Sequence, residues 1–281
     1  MIPVHLKYQV ELLEGRLKTL DPKPEKIALF DLDNTLLIGD IGEAVFARLL
    51  ADGAPLKCTW EEYQSFLRCD VTAAYRLVVE SMAGLTVSDV EEATAKVMKQ
   101  SNPFIEVGTA HVAVPKPHPG IRKLISLLQK LRYRVYVVSA SNQISVRIAA
   151  EEFFGIPPEC SFGIEAKAAN NFLLPTLVKP FPVSTGKVEV YHKYVGSVSP
   201  LITATDSLVD APLLGLTDPI GFSIWVGVNR SEFKAVKERI RQPQRFCFVQ
   251  RPRRYSLRNN VRTFGEHRRR EVAPSTVFVE M

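Results

Sequence analysis

Five short runs rich in apolar, β-branched and aromatic residues recur along the chain, at 26–31, 133–138, 161–165, 201–205 and 221–226, with stretches of helical periodicity between them. Runs of this length read as buried strands, since a strand covered on both faces needs no polar side. Strands alternating with helices imply a mostly parallel sheet joined by right-handed crossovers. The expected fold is therefore α/β, a Rossmann-like, mostly parallel five-stranded sheet with helices on both faces. Helices are expected at 121–131, at 144–154 with Gly155 as the stop, and at 187–195, with a helical turn region at 207–216. Residues 166–186 read as a loop or a hairpin, with Asn170-Asn171 as its turn.

The alternation breaks once. From about 40 to 114 the pattern is helical, with few strand signals. Residues 41–50 are apolar at helical spacing, and Thr59 and Glu62 match a capping box. Residues 75–82 and 87–98 also read as helices, the latter with Ser88 as candidate N-cap. Pro115, Pro117, Pro119 and Gly120 then interrupt the chain. The predicted organisation is a discontinuous core at 1–39 and 115–235, a helical cap at 40–114 and a basic C-terminal extension at 236–281. Residues 1–22 would hold an N-terminal amphipathic helix, with Val4, Leu6, Val10, Leu13, Leu17 and Leu20 set among charges.

Residues suited to chemistry gather at the carboxyl ends of these strands, where open α/β sheets bind their ligands. The first strand runs straight into Asp31-Leu32-Asp33-Asn34-Thr35. Two carboxylates so close repel each other unless compensated, and a divalent cation that takes oxygen ligands, such as Mg²⁺, compensates them. An Asp-rich turn with local hydrogen bonds is the competing explanation. The second strand leads into Ser139-Ala140-Ser141-Asn142, ahead of a helix N-terminus that can hold an anion or be capped by the serine. Thr185-Gly186-Lys187 puts a lysine at a helix start, a position that in isolation is usually solvated. Asp206 ends the fourth strand, as metal ligand or helix cap, with Asp210 one helical turn on. Together these residues supply a metal site, anion ligands and a nucleophile.

The ordered set Asp31-x-Asp33-x-Thr35, Ser139, Lys187 and Asp206-x-x-x-Asp210 resembles the four motifs of the haloacid dehalogenase superfamily. The helical insert ahead of His118-Pro119-Gly120 resembles the helical cap of its phosphoserine phosphatase-like members, and the resemblance spans about residues 24–230. It implies a Mg²⁺-dependent phosphatase that hydrolyses a small phosphomonoester, phosphoserine-like or another small phosphorylated metabolite, through an aspartyl-phosphate. Asp31 would be the nucleophile and Asp33 the acid and base. Thr35 would support the loop, Ser139 would hold a phosphoryl oxygen, and Lys187 would neutralise developing charge and orient Asp31. Asp31, Asp206 and the backbone carbonyl of Asp33 would bind Mg²⁺, with Asp210 binding or orienting its outer sphere. Thr35, Asp40, Glu43, Ser139, Ala140 and Ser141 are the substrate-binding candidates. Asp33 favours phosphatase or phosphomutase chemistry, because members that dehalogenate lack this second carboxylate and transport ATPases carry threonine there. A phosphotransferase or phosphomutase with the same intermediate is the alternative. Thr205 departs from the pattern, standing where members often have glycine.

Asp40 and Glu43 are close enough to the acidic pair to recognise a polar or cationic leaving group, or else to cap the first helix of the insert. Trp60, Tyr63, Phe66 and Tyr75 read as the core of the insert or as an apolar pocket lining. His118, in a Pro-Gly turn, reads as structural. The net charge of +6 is uneven: residues 235–281 hold 12 Lys+Arg against 4 Asp+Glu, leaving 24 against 26 for the rest. Arginines interleaved with Phe246, Phe248, Tyr255 and Phe264 suit nucleic acid or another polyanion, or a solvated extension that packs its aromatics. The runs 246–249 and 276–279 read as strands of a terminal hairpin, on the sheet edge or across a subunit interface. No apolar run approaches the roughly 20 residues that span a bilayer. The N-terminus lacks a secretory signal pattern. Cys58, Cys69, Cys160 and Cys247 show no metal-finger spacing and read as thiols of a reducing cytoplasm.

Overall fold

The structure, a computed structural model, describes residues 14, 15, 17, 18, 25–227, 246–250 and 277–279. Most of the expected N-terminal helix and of the basic extension lies outside these residues. Leu17, helical like residues 14, 15 and 18, is buried in the main core.

Strand β1 (Ile27–Phe30) is apolar and buried throughout. A tight turn over 32–36 follows, with Asn34 in the left-handed region at φ 57°. Asparagine tolerates that conformation through local hydrogen bonding of its short side chain. The turn sends the chain back, so that β2 (Leu37–Ile38) pairs antiparallel with β5 (Lys116–Pro117).

Between those two strands lie α1 (Ile41–Ala51), α2 (Trp60–Cys69), α3 (Val71–Ser81) and α4 (Val87–Lys99). Asp40, Thr59, Asp70 and Thr86 cap them, each side chain accepting the N–H three residues on. The Thr59–Glu62 capping box forms as expected. The cap of α4 is Thr86 rather than Ser88, because Thr86 and Asp89 close a second reciprocal box that starts two residues earlier. The insert is also not purely helical. Strands β3 (Phe104–Val107) and β4 (Ala110–Ala113) form a hairpin turned at Gly108, whose φ is 57°. Each strand is four residues long, with Ile105 and Val112 buried, too short an alternation to stand out in the sequence.

The remaining elements are α5 (Pro119–Lys130), β6 (Arg134–Asn142), α6 (Gln143–Phe154), β7 (Ser161–Ile164), the hairpin β8 (Ala166–Ala169) and β9 (Phe172–Leu177), α7 (Gly186–Tyr194), β10 (Ile202–Thr205), α8 (Ala211–Leu214), β11 (Phe222–Gly227), β12 (Phe246–Gln250) and β13 (Val277–Val279). His118 caps α5, its Nδ1 accepting from Gly120 N and Ile121 N, which bears out its structural reading. Asn170 and Asn171, at φ 50° and 70°, make the turn of the β8–β9 hairpin, as two left-handed central residues of a tight hairpin must. That hairpin is stitched to the insert: Gly84 N and Leu173 N reach across to Leu173 O and Leu85 O.

The five expected strands form a parallel sheet, and among the described residues two further strands extend it to seven, in the order β13-β12-β11-β10-β1-β6-β7. Neighbours are parallel except β12 and β13. The two added strands, Phe246–Gln250 and Val277–Val279, fall in the two runs expected as a terminal hairpin and pair on the β11 edge, which would otherwise leave a row of unpaired backbone groups. The chain steps from β1 outward to β6 and β7, then returns to the other side of β1 for β10 and β11. Right-handed crossovers therefore put α5 and α6 on one face and α7 and α8 on the other. The reversal beside β1 opens a crevice at its carboxyl end. One continuous apolar core joins Phe30 of β1, Phe46 of α1, Tyr63 of α2, Val90 of α4 and Val146 of α6, so the insert is anchored by the same burial that holds the sheet. Each such side chain contributes about 1.5–3 kcal/mol.

Candidate active site

Asp31 sits at the carboxyl end of β1 and is 4% exposed. Its Oδ1 accepts from Leu32 N at 2.8 Å and from Lys187 Nζ at 2.6 Å, and its Oδ2 accepts from Thr35 Oγ1 at 3.2 Å. Lys187 comes from the first turn of α7 and is buried. Gly186 allows that approach, because a Cβ there would lie 1.9 Å from the carbonyl oxygen of Phe181. Lys187 Nζ also donates to Asp210 Oδ2 at 2.9 Å, while Asp210 Oδ1 accepts from Ser184 N at 3.2 Å. Burial pushes the Asp31 carboxyl well above its ordinary range; Lys187 opposes this, and the charges of Asp210 and Asp206 add to it. Burial disfavours the Lys187 ammonium too, but Asp210 and Asp31 outweigh it and hold the lysine above its usual value.

Asp33 is held from three sides. Its Oδ1 accepts from Ile41 N at 2.7 Å, and its Oδ2 accepts from the hydroxyls of Ser139 and Ser141, each at 2.7 Å. Burial, then the neighbouring Asp40, push its pKa from 3.8 up to about 7 against the pull of those three donors. A carboxyl that titrates near neutrality suits proton transfer in both directions. Both serines lie in the last residues of β6, which runs on to Asn142 with a register shift against β7 rather than ending at 138. Asn142, not Ser139, caps α6, accepting from Ser145 N at 2.9 Å.

Asp40 caps α1 through Glu43 N and has Tyr75 Oη at 3.4 Å from its second oxygen. Glu43 accepts from Tyr63 Oη at 2.7 Å. Tyr63 and Trp60 pack with Phe46 at ring-centroid distances of 5.7 and 6.0 Å, as core residues of the insert. Phe66 is 46% exposed and is not part of that core.

Asp31, Asp33, Thr35, Ser139, Ser141, Lys187, Asp210 and Asp40 thus fall in one region, and Asp206 acts on it through its charge. Ala140 instead packs on the small cluster of Val79, Ile164 and Val183. The backbone donors of Ile41, Gly42 and Ser184 were not legible in the sequence, since side-chain motifs carry no sign of them. Asp31, Asp206 and Asp210 outnumber the one lysine among them, and that surplus of negative charge, offered by hard oxygen donors, fits a divalent cation such as Mg²⁺. Among the described residues no group of three or more His, Cys, Asp or Glu side chains forms a ready-made metal cluster. Thr205, in place of glycine, is buried, and its Oγ1 accepts from Ser207 N at 3.3 Å just past Asp206.

Over residues 28–214, more than half of the chain, the sequence matches the haloacid dehalogenase-like hydrolases. The chain belongs to that family and is a hydrolase. Solved structures similar to it include a conserved, functionally unknown protein from Anaerococcus prevotii DSM 20548, with TM-score 0.59 and 16% identity over 84% of this chain and 90% of that one. A phospho-aspartyl intermediate analogue of phosphoserine phosphatase gives TM-score 0.51 and 18% identity, over 76% of this chain and 91% of that one. A substrate-bound phosphoserine phosphatase complex gives 0.50 and 18%, over 73% and 87%. At such identities the likeness is one of fold. Curated protein sequences give no match. No helix among the described residues is long and apolar enough to cross a membrane.

Proposed function

We propose that the protein is a Mg²⁺-dependent phosphatase that hydrolyses a small phosphomonoester through an aspartyl-phosphate on Asp31. The observation that carries this reading is the pairing of two differently held carboxyls two residues apart. Asp31 is clamped against a buried lysine, and Asp33 titrates near 7 among hydroxyl and backbone donors. The similarity in fold to phosphoserine phosphatases supports it.

Asp31 Oδ attacks phosphorus in line, and the ester P–O bond breaks as Asp33 gives its proton to the leaving oxygen. Asp33, now a carboxylate, takes a proton from the water that attacks the phosphorus of the intermediate, and the bond from phosphorus to Asp31 Oδ breaks. Inorganic phosphate leaves, and both aspartates return to their starting states. Lys187 offsets negative charge on Asp31 and the phosphoryl oxygens in a transition state governed mainly by electrostatics. Asp31, Asp206 and the Asp33 carbonyl are the groups that would hold Mg²⁺, which would supply positive charge to offset the buried nucleophile and the phosphoryl group. Asp40, whose charge acts on Asp33, and Glu43, in the first turn of α1 that Asp40 caps, are assigned to a polar or cationic leaving group.

Phosphate release across a panel of phosphorylated metabolites, with Mg²⁺ and with chelator, tests the reading. Turnover of at least one ester in Mg²⁺ alone, abolished in Asp31→Asn, is the expected result. Activity that survives in Asp31→Asn refutes the nucleophile. A substrate ranking unchanged in Asp40→Asn and Glu43→Gln removes those two from recognition.

A further inference from the structure

The first turn of α1 is capped from within the candidate site. Ile41 N donates to Asp33 Oδ1 at 2.7 Å, Gly42 N to Ser141 Oγ at 3.1 Å and Glu43 N to Asp40 Oδ1 at 2.9 Å. Three of the orphan donors that every helix start must satisfy are thus met by site residues. Ser141 Oγ also donates to the other oxygen of Asp33, at 2.7 Å. The serine therefore bridges the first turn of α1 and the carboxylate. Its closeness to α1 depends on the glycine, because a Cβ on Gly42 would lie 2.4 Å from Ser141 Oγ and 2.9 Å from Ser141 Cβ. Ser139 reaches the same Asp33 oxygen, but the hydroxyl that also accepts from α1 is that of Ser141.

We propose that Ser141 is a positioning residue for Asp33, its hydroxyl tying the carboxylate to the first turn of α1 so that the seat of the insert sets where the acid points. This rests on the reading of Asp33 as acid and base. A hydroxyl shared between a helix N–H and a carboxylate fixes both at once, and a shift of α1 away from β6 would release one of the three donors that aim Asp33. Ser141 thereby acts through Asp33, whereas a substrate-binding role would act through affinity.

The test compares kcat/KM, which reports events through transfer to Asp31, for a simple alkyl phosphate and for p-nitrophenyl phosphate. The alkoxide needs a proton to leave, and the nitrophenolate needs little help. In Ser141→Ala, kcat/KM for the alkyl ester is expected to fall about tenfold further than for the aryl ester. Gly42→Ala, which displaces the Ser141 hydroxyl without removing it, should reproduce that imbalance. Circular dichroism and thermal melting confirm that each variant is folded, and either variant alone suffices for the test. Equal losses on both esters, or a loss confined to KM, overturn the positioning role. Asp33→Asn measured in parallel separates the two levels. If it shows the imbalance and Ser141→Ala does not, the positioning role is wrong. If Asp33→Asn shows none, the acid reading falls and the proposal falls with it.

Discussion

Replacing Asp33 by Asn removes a charge from a site 8% exposed while keeping the shape of the side chain. Asn Oδ1 can still accept from Ile41 N, and the hydroxyls of Ser139 and Ser141 can turn to accept from its amide, since each oxygen has lone pairs to spare. What changes is the cost of ionisation. In the folded protein Asp33 titrates at about 7, against 3.8 for a free side chain. Between those values the folded state holds a proton that the unfolded chain has lost. For a group whose folded pKa is raised, stability is fully present below the unfolded value and is lost as pH rises through the folded one. About three pH units at roughly 1.36 kcal/mol each put the loss on the order of 4 kcal/mol, an upper figure because hydration and relaxation soften it. Asp33→Asn is spared that loss. The variant should match the parent near pH 4 and exceed it by about 2–4 kcal/mol at pH 8, with the gap opening between pH 4 and 7. Urea unfolding of both proteins in chelator, at half-unit steps of pH, measures this difference directly. Asp31 titrates in both proteins and cancels in the difference. A variant less stable than the parent at pH 8, or a gap that does not change with pH, would refute the claim that burial dominates the Asp33 site.

Other outcomes follow from the same geometry. Lys187→Met leaves Asp31 and Asp210 buried without their shared cation and should cost about 3–5 kcal/mol, as read by denaturant titration. Gly186→Ala puts a methyl 1.9 Å from the Phe181 carbonyl, so α7 must shift and carry Lys187 off Asp31. A drop in kcat of about tenfold or more with a lowered Tm is expected, and an unchanged kcat would show that the lysine does not need this seat. Asn171→Val places a β-branched residue at φ 70° and should destabilise the β8–β9 hairpin by about 1–2 kcal/mol, measured by thermal melting.

Much of this architecture was legible because local signals and long-range packing agree. The run Ile27 to Phe30 has no polar residue, and it is a strand with parallel neighbours on both sides. Thr59 and Glu62 announce α2 through two reciprocal hydrogen bonds that involve only neighbouring residues. The Asn170-Asn171 turn is similar, a backbone conformation few other residues accept. Where the reading missed, the deciding interaction was distant or belonged to the backbone. β6 runs past 138 because it pairs with β7 through a bulge, and Ser139-Ala140-Ser141 carries no strand signal of its own. Thr86 displaced Ser88 as a cap through a choice between two plausible oxygens two residues apart. In the site, Asp31, Asp33, Lys187 and Asp210 could be picked out by residue type and order. That Ser139 and Ser141 spend their hydroxyl protons on Asp33, and that Ile41 and Gly42 offer their N–H groups there, depends on a turn in which Asn34 reverses the chain. No spacing rule encodes that reversal.

The account stands on Asp31 as the atom that takes the phosphoryl group. The enzyme can be acid-quenched in mid-turnover with a phosphomonoester it hydrolyses, reduced with borohydride and mapped by peptide mass spectrometry. Borohydride converts an aspartyl-phosphate to homoserine and leaves a free carboxylate untouched. Homoserine at position 31, dependent on substrate, is the predicted result. An unmodified Asp31 beside a labelled residue elsewhere, or none labelled under steady turnover, would contradict it.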